Sequence, residues 1–445
     1  MFKTVNVSFL CCFGNIESFL FFSCLLLLHL LIFNYLLKIL ESMKKQKFIL
    51  LLLIVSLFSS CKKEIKKKNT PTVGVIDVAA QQYNVLYDSI QSRKNTKFYI
   101  PRAIKNGNIK YAQAYDWTSG FYAGSLWYLY KLTKKNKWKD RALDYTTRLD
   151  SVKYYTGNHD IGFMMESSFG NAMSLYPSAK YDSVIVQSAK SLITRFRPKA
   201  GIIQSWDAKI HFKEGAWKCP VIIDNMMNLE LLFHATKITG DSIYSKIAIS
   251  HSNNTLKNHF RSDNSSYHVV DYNIETGAVI KKTTHQGLND ESAWSRGQAW
   301  GLYGFTAMYR ETQDKKYLDQ AIKIASFIEN HPNLPKDLVP YWDFDVEATS
   351  TTKRDTSAAA IIASALLELQ KYVSDEKSKK YLNWAKETIK SLKSPAYLAK
   401  NGTNKGFILK HSVGTFLFNV EVDSPLNYAD YYFLEALYRL QEMEN

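Results

Sequence analysis

Two kinds of helical segment alternate along this chain, and the alternation limits the possible folds more tightly than any other feature of the sequence. In one kind, residues 116–133, 165–176, 223–236, 295–312, 355–372 and 427–440, small and aromatic side chains cover several faces. A helix that is apolar on several faces has to be surrounded by protein. In the other kind, residues 81–92, 138–153, 181–196, 242–260, 316–330 and 379–393, a single apolar stripe is set against a Lys-rich face, so each needs water on one side. Six of one interleaved with six of the other predict an inner ring of helices enclosed by an outer ring, an all-α (α/α)6 barrel. A solenoid of helix pairs would repeat at a fixed period, whereas here the spacing of the inner segments varies and no repeated consensus is found. Gly and Pro are sparse, and no Ser- or Pro-rich linker divides the chain, which predicts one catalytic-sized domain over residues 81–445. The inserts at 197–221 and 263–293 are expected to be loops over one mouth of the barrel, where sites are usually built.

Residues 1–60 are of a different character. Residues 19–37 are almost wholly apolar, and a second start at Met43 is followed by Lys44, Lys45 and Lys47, an apolar run over 48–58, and Ser59-Ser60-Cys61. A charged start, a short apolar middle and small residues before a cut predict a secretion signal, with Cys61 as a lipid attachment site that holds the protein to a membrane in the periplasm or at the cell surface. The upstream 1–42 stretch is long enough to span a bilayer; the preferred reading is a start codon assigned too early. Residues 61–80 then form a tether, with the run Lys62 to Lys68 solvated. Of the five cysteines only Cys61 and Cys219 remain in such a mature chain, so no intrachain disulfide framework is expected. The formal net charge of +16 suits either an anionic polysaccharide or simple solubility. No basic helix or zinc spacing points to nucleic acid.

Chemistry-bearing residues gather at the starts of the inner segments: Asp116-Trp117-Thr118, His159-Asp160-Ile161, Ile223-Asp224-Asn225, Ser295-Arg296-Gly297, Arg354-Asp355-Thr356 and Asn427-Tyr428-Ala429-Asp430. Asp116 and Asp355 read first as N-caps that satisfy free amide groups. Asp430 lies inside its helix. Asp224 follows apolar residues and precedes a Met-rich helix, so its carboxyl is expected to be desolvated and hard to ionise.

The stretches at 159–163 (His-Asp-Ile-Gly-Phe), 222–228, 295–300 (Ser-Arg-Gly-Gln-Ala-Trp) and 428–437 resemble the signature segments of the unsaturated glucuronyl hydrolases, glycoside hydrolase family 88, in order and approximate spacing. The likeness runs from about Tyr83 to the C-terminus. It implies the same (α/α)6 barrel and removal of a 4,5-unsaturated uronic acid from the non-reducing end of oligosaccharides left by polysaccharide lyases. The chemistry it implies is hydration of a vinyl ether without metal or cofactor. Asp224 matches the proton donor, which later deprotonates water, and Asp160 its partner carboxylate. His159, His268, Gln286, Arg296 and Trp300 match residues that contact the uronate, and Trp117 is a further candidate for a sugar platform. Plainer readings stand beside these: His268 as a structural histidine, Arg296 paired with Asp290 or Glu291, Trp300 and Trp117 as core.

At 411–417 the family members that act on sulfated glycosaminoglycan disaccharides read Ser-x-x-Ser-x-Lys. Here Ser412 is kept, Thr415 supplies a hydroxyl and Leu417 stands in place of the Lys. A sulfated-chondroitin preference is therefore not expected, and unsulfated, heparin-type or ulvan-type products remain open. Three rivals bound the reading: an unsaturated rhamnogalacturonyl hydrolase, a barrel epimerase with catalytic histidines, and a non-catalytic glycan-binding lipoprotein.

Overall fold

The computed structural model describes residues 28, 30–35, 74–92, 97–207 and 217–444. The chain divides into two units, Met1–Thr72 and Val73–Asn445. In the first, the described residues are helical and exposed, and no helix among the described residues is long and apolar enough to cross a membrane. The secretion signal around Met43, Cys61 and the run Lys62 to Lys68 lie outside the described residues.

The second unit is built from successive outer and inner helices. The first pair is α1 (Val75–Gln91) and α2 (Ser119–Thr133). Next come α3 (Asn136–Thr147) and α4 (Ile161–Met165), which continues through a π-turn, Glu166–Gly170, into α5 (Asn171–Met173). Outer α6 (Ala179–Ile193) is followed by a 3-10 turn, Ile223–Asn228, leading into α7 (Glu230–Thr239). The remaining pairs are α8 (Ile243–Asn258) with α9 (Ser295–Thr312), α10 (Lys315–Asn330) with α11 (Thr356–Leu369), and α12 (Asp375–Leu392) with α13 (Asn427–Glu444). The inner members touch in sequence, α2 to α4, α4 to the 3-10 turn, then α9, α11 and α13, and α13 returns to α2, so the ring closes. The (α/α)6 barrel expected from the alternation is the fold observed.

Burial explains why each helix sits where it does. Every residue of α11 is buried, and its alanines 358, 359, 360, 363 and 365 let neighbouring helices come close. On α2, a Cβ at Gly120 would lie 2.2 Å from the Met164 carbonyl oxygen and one at Gly124 2.4 Å from the Tyr431 ring, so these glycines set the approach of α4 and α13. Outer α10 instead buries Tyr317, Ala321, Ile324 and Ile328 while Lys315, Lys316 and Lys323 face water. Helix α1 begins at Val75 and not at 81, because Ala79 already joins the stripe of Tyr83, Leu86 and Ile90.

Because each inner helix follows an antiparallel outer one, the starts of all six converge on one mouth. The connections at that mouth carry the strands. Antiparallel β1 (Ile100–Lys105) and β2 (Asn108–Ala112) precede α2, and β3 (Phe196–Arg197) pairs with β4 (Ile202–Ile203). The inserts expected as loops also contribute to a three-stranded sheet, β5 (Pro220–Ile222), β6 (Val269–Tyr272) and β7 (Val279–Thr283), since Val221, Val269 and Val270 need cover. Antiparallel β8 (Ser412–Thr415) and β9 (Val420–Ser424) precede α13. Asp355 caps α11 by accepting from the Ser357 amide at 3.0 Å, and Asp116 accepts from the Thr118 amide at 3.0 Å before α2. Buried Asp430 accepts the amides of Ile408 and Leu409 at 2.9 and 2.8 Å, an anchoring role for the chain leading to β8.

Candidate active site

A cavity of about 250 Å³ opens at the mouth where the inner helices begin. Six of the residues singled out by sequence line it: Trp117, Asp160, Asp224, Gln286, Arg296 and Thr415. Five further lining residues, Arg102, Trp206, His285, Glu421 and Tyr428, were not assigned a role from sequence.

Asp224 stands in the 3-10 turn between β5 and α7, among buried Ile222, Ile223, Met226 and Met227. Burial pushes its carboxyl up to about 7, against the pull of the Arg296 guanidinium, a backbone amide and the Trp300 indole. Asp160 immediately precedes α4, and burial first, then the charges of Asp224 and Asp116, push it well above the usual carboxylate range. Two acids raised this way and coupled to each other titrate as a unit, so the pair retains a proton at neutral pH.

A neutral imidazole backs each acid. His159 Nε2 lies 3.3 Å from Asp160 Oδ1, and burial pushes its ring down to about 3. His268 Nδ1 accepts the amides of His285 and Gln286, both at 3.0 Å, so the single proton of the neutral ring sits on Nε2. That nitrogen faces Asp224 Oδ2 at 3.7 Å, beyond hydrogen-bond range but within electrostatic reach. Both histidines are buried behind the wall and neither lines the cavity. Replacing Asp160 by Asn removes the neighbouring charge that makes the pair hold its proton. The alkaline limb of the kcat/KM profile is then expected to move to lower pH by roughly one unit, with activity down about 10²-fold; a pH–rate profile checks both.

The structure corrects the partner of Arg296. Its Nη1 pairs with Asp355 Oδ2 at 3.0 Å and also donates to the Val413 carbonyl, while Nη2 donates to the Gly414 carbonyl at 2.6 Å. Asp290 instead accepts the Thr284 amide, and Glu291 lies 3.5 Å from Arg261. The reason is adjacency in the ring: Arg296 is in the first turn of α9, next to the start of α11, which Asp355 caps. Its terminal nitrogens are thus committed to the protein, and it offers the cavity mainly its charge.

The remaining sequence candidates separate by position. Gln286 donates to the Gly414 carbonyl at 3.0 Å and to Thr415 Oγ1 at 3.2 Å, knitting the lining together. Trp117 is a true wall residue, 4.9 Å from the Tyr428 ring. Trp300 is fully buried against Phe163 at 5.1 Å and Tyr432 at 5.4 Å and does not line the cavity. Ser412 is also buried, its hydroxyl 2.7 Å from that of Thr356, and does not line the cavity. Leu417 is 51% exposed at the β8–β9 turn, beside exposed Phe416 and Phe418.

Of the residues missed, Tyr428 lay in a polar cluster at an inner-helix start, the same signal that flagged the acids. Arg102 and Glu421 sit on short strands between helices, where a helical pattern carries no information. Among the described residues, no three His, Cys, Asp or Glu side chains converge as a metal-ligating group.

Residues 90–443 match the family described as Glycosyl Hydrolase Family 88. An unsaturated glucuronyl hydrolase of Formosa agariphila is 43% identical over 410 residues, 90% of this chain and 99% of that protein. An unsaturated chondroitin disaccharide hydrolase of Streptococcus agalactiae is 32% identical over 346 residues, 77% of this chain and 85% of that protein. Among solved structures, that of an unsaturated glucuronyl hydrolase specific for heparin superposes with a TM-score of 0.78 at 45% identity, covering 83% of this chain and 97% of that one. With its pair of buried acids at the mouth, its closed double ring and these relatives, the chain belongs to glycoside hydrolase family 88.

Proposed function

We propose that this protein removes the 4,5-unsaturated uronic acid from the non-reducing end of oligosaccharides released by polysaccharide lyases. The observation that carries the reading is Asp224, a carboxyl raised to about 7 by burial and lining the same cavity as Asp160. An ordinary glycosidase protonates a bridging oxygen; an enol ether needs its proton delivered to carbon, by an acid still protonated at neutral pH. Asp224 gives its proton to C4 of the C4=C5 bond, and positive charge develops on C5 and the ring oxygen. Water adds at C5 and loses a proton to the Asp224 carboxylate, which restores the acid. The resulting hemiketal opens at the bond between C5 and the ring oxygen. The hemiacetal left at C1 then collapses to an aldehyde and releases the aglycone as an alcohol. No covalent intermediate forms on the enzyme, so the separation of the two carboxyls does not report stereochemistry as it does in ordinary glycosidases. Six helix N-termini converging on the mouth, together with Arg296, give the potential that favours the uronate carboxylate.

For the aglycone we favour heparin-type products. Leu417 leaves no cation at the place where sulfated-chondroitin specialists carry Lys, and the relative that shares 45% identity is described as specific for heparin. Lyase products absorb in the ultraviolet through the conjugated double bond. Wild-type protein is expected to bleach that absorbance, fastest with heparin-lyase disaccharides and more slowly with sulfated chondroitin disaccharides. Absorbance that persists with every lyase product would return the chain to a glycan-binding role.

We further infer that the protein is a lipoprotein held at a periplasmic or surface membrane through Cys61, on the strength of Lys44, Lys45, the apolar run over 48–58 and Ser59-Ser60-Cys61. Cys61→Ala is expected to move the protein from the membrane to the soluble fraction. An unchanged membrane fraction would assign anchoring to residues 19–37.

A further inference from the structure

One wall of the cavity is assembled from opposite ends of the barrel sequence. The β1–β2 hairpin precedes the first inner helix and β8–β9 precedes the last. They meet where the Ser424 hydroxyl donates to the Ile104 carbonyl at 3.0 Å and accepts the Ile104 amide at 3.2 Å. At their centre lies Glu421, whose side chain is 3% exposed. Its carboxylate takes Arg102 through two bonds, Nε to Oε1 at 2.7 Å and Nη2 to Oε2 at 3.2 Å, and Lys110 Nζ at 2.8 Å. Arg102 continues to Asp116 Oδ2 at 2.7 Å. The hydration chemistry uses none of these groups.

The backbone supporting this cluster is unusual. Asn419, Glu421 and Asp423 have φ of 50°, 55° and 55°, three left-handed residues at alternate positions. Non-glycine residues persist there only where surrounding contacts over-determine them. Opposite them, a Cβ on Gly414 would lie 2.8 Å from the Val420 carbonyl oxygen and 2.9 Å from Glu421 Oε2, so glycine is what admits the carboxylate. Through β8 the effect reaches the site itself: the carbonyls of Val413 and Gly414 hold Arg296, and the Gly414 carbonyl with Thr415 Oγ1 holds Gln286.

We propose that Glu421 is a positioning residue. By clamping Arg102 and Lys110 it fixes the strained β8–β9 hairpin, and so places the charge of Arg296 beside the cavity and Gln286 and Thr415 in its lining, where the oligosaccharide binds. The inference rests on the unsaturated-uronide reading of the same cavity.

The test is Glu421→Asn, because Asn tolerates a left-handed backbone while losing the charge and the reach. The KM for a lyase-derived disaccharide is expected to rise about tenfold with kcat within about threefold, the signature of lost binding geometry and not of lost chemistry. Hydrogen exchange of peptides spanning 412–424 is expected to be at least about tenfold faster, while α11 and α13 keep their protection. Arg102→Gln should reproduce both changes. The double variant should be no worse than either single one, since a single clamp is lost once. Wild-type KM and wild-type hairpin exchange in Glu421→Asn would overturn the proposal, as would additive losses in the double variant. If Glu421→Asn does not fold, Glu421→Gln, which keeps the length of the side chain, carries the same comparison. If the wild-type protein bleaches no lyase product, the functional reading fails, and the exchange comparison still decides whether the clamp holds the hairpin.

Discussion

Asp224→Asn is expected to bleach unsaturated disaccharides about 10³-fold more slowly than the wild-type protein, because the amide has no proton of suitable acidity to give to carbon. The same change is expected to make the protein more stable at neutral pH. The folded carboxyl titrates near 7, above its ordinary value of 3.8. Between those values the unfolded chain has released a proton that the folded chain retains, so unfolding is increasingly favoured as pH rises through the window. The penalty is absent below about 4, grows across the window and is constant above about 7. At about 1.4 kcal/mol per unit over roughly three units it amounts to on the order of 4 kcal/mol. Denaturation at pH 8 should therefore show Asn at this position ahead of Asp, and at pH 4 the two should coincide. Wild-type kcat/KM should fall about tenfold per pH unit above the pair's upper titration, the limb that reports loss of the acid form. Activity within tenfold of wild type, or a variant less stable at pH 8, would remove Asp224 from its assigned role.

Asp355→Ala carries the largest expected loss of stability. The Arg296–Asp355 pair is closed off from solvent, with side-chain exposures of 1% and 0%. Truncating the acid leaves a buried guanidinium without its counter-charge, which costs about 3–5 kcal/mol. Loss of the α11 cap on the Ser357 amide adds about 1 kcal/mol. For a barrel of this size the Tm is expected to drop by on the order of 5–10 °C, accompanied by lost activity as Arg296 leaves the cavity. A thermal scan within about 2 °C of wild type would show the pair to be energetically idle.

The double ring was legible because burial on several faces, or on one, is written within each helix's own sequence. Asp224 was legible for a related reason: an acid placed between Ile222, Ile223, Met226 and Met227 announces its desolvation locally. Partners were not legible. Arg296 and Asp355 are 59 residues apart and meet only because α9 and α11 are neighbours in the ring. Arg102 and Glu421 are 319 residues apart. The depth of Trp300 was not legible for the same reason, since its position along α9 does not state on which side of the cavity wall it falls. The strands β5 to β7 were read mostly as loops because three- to five-residue pieces offer too little alternation, although the alternating 267–272 stretch did coincide with β6.

A ring is complete only when its last member arrives. Helix α13 is the final element in the sequence and also the one that joins α11 to α2, so a partly synthesised chain presents an open apolar seam that includes Phe121, which packs on Tyr428, Tyr431 and Tyr432 of α13. Assembly of the barrel, and with it the pocket that keeps Asp224 protonated, therefore waits for the C-terminus.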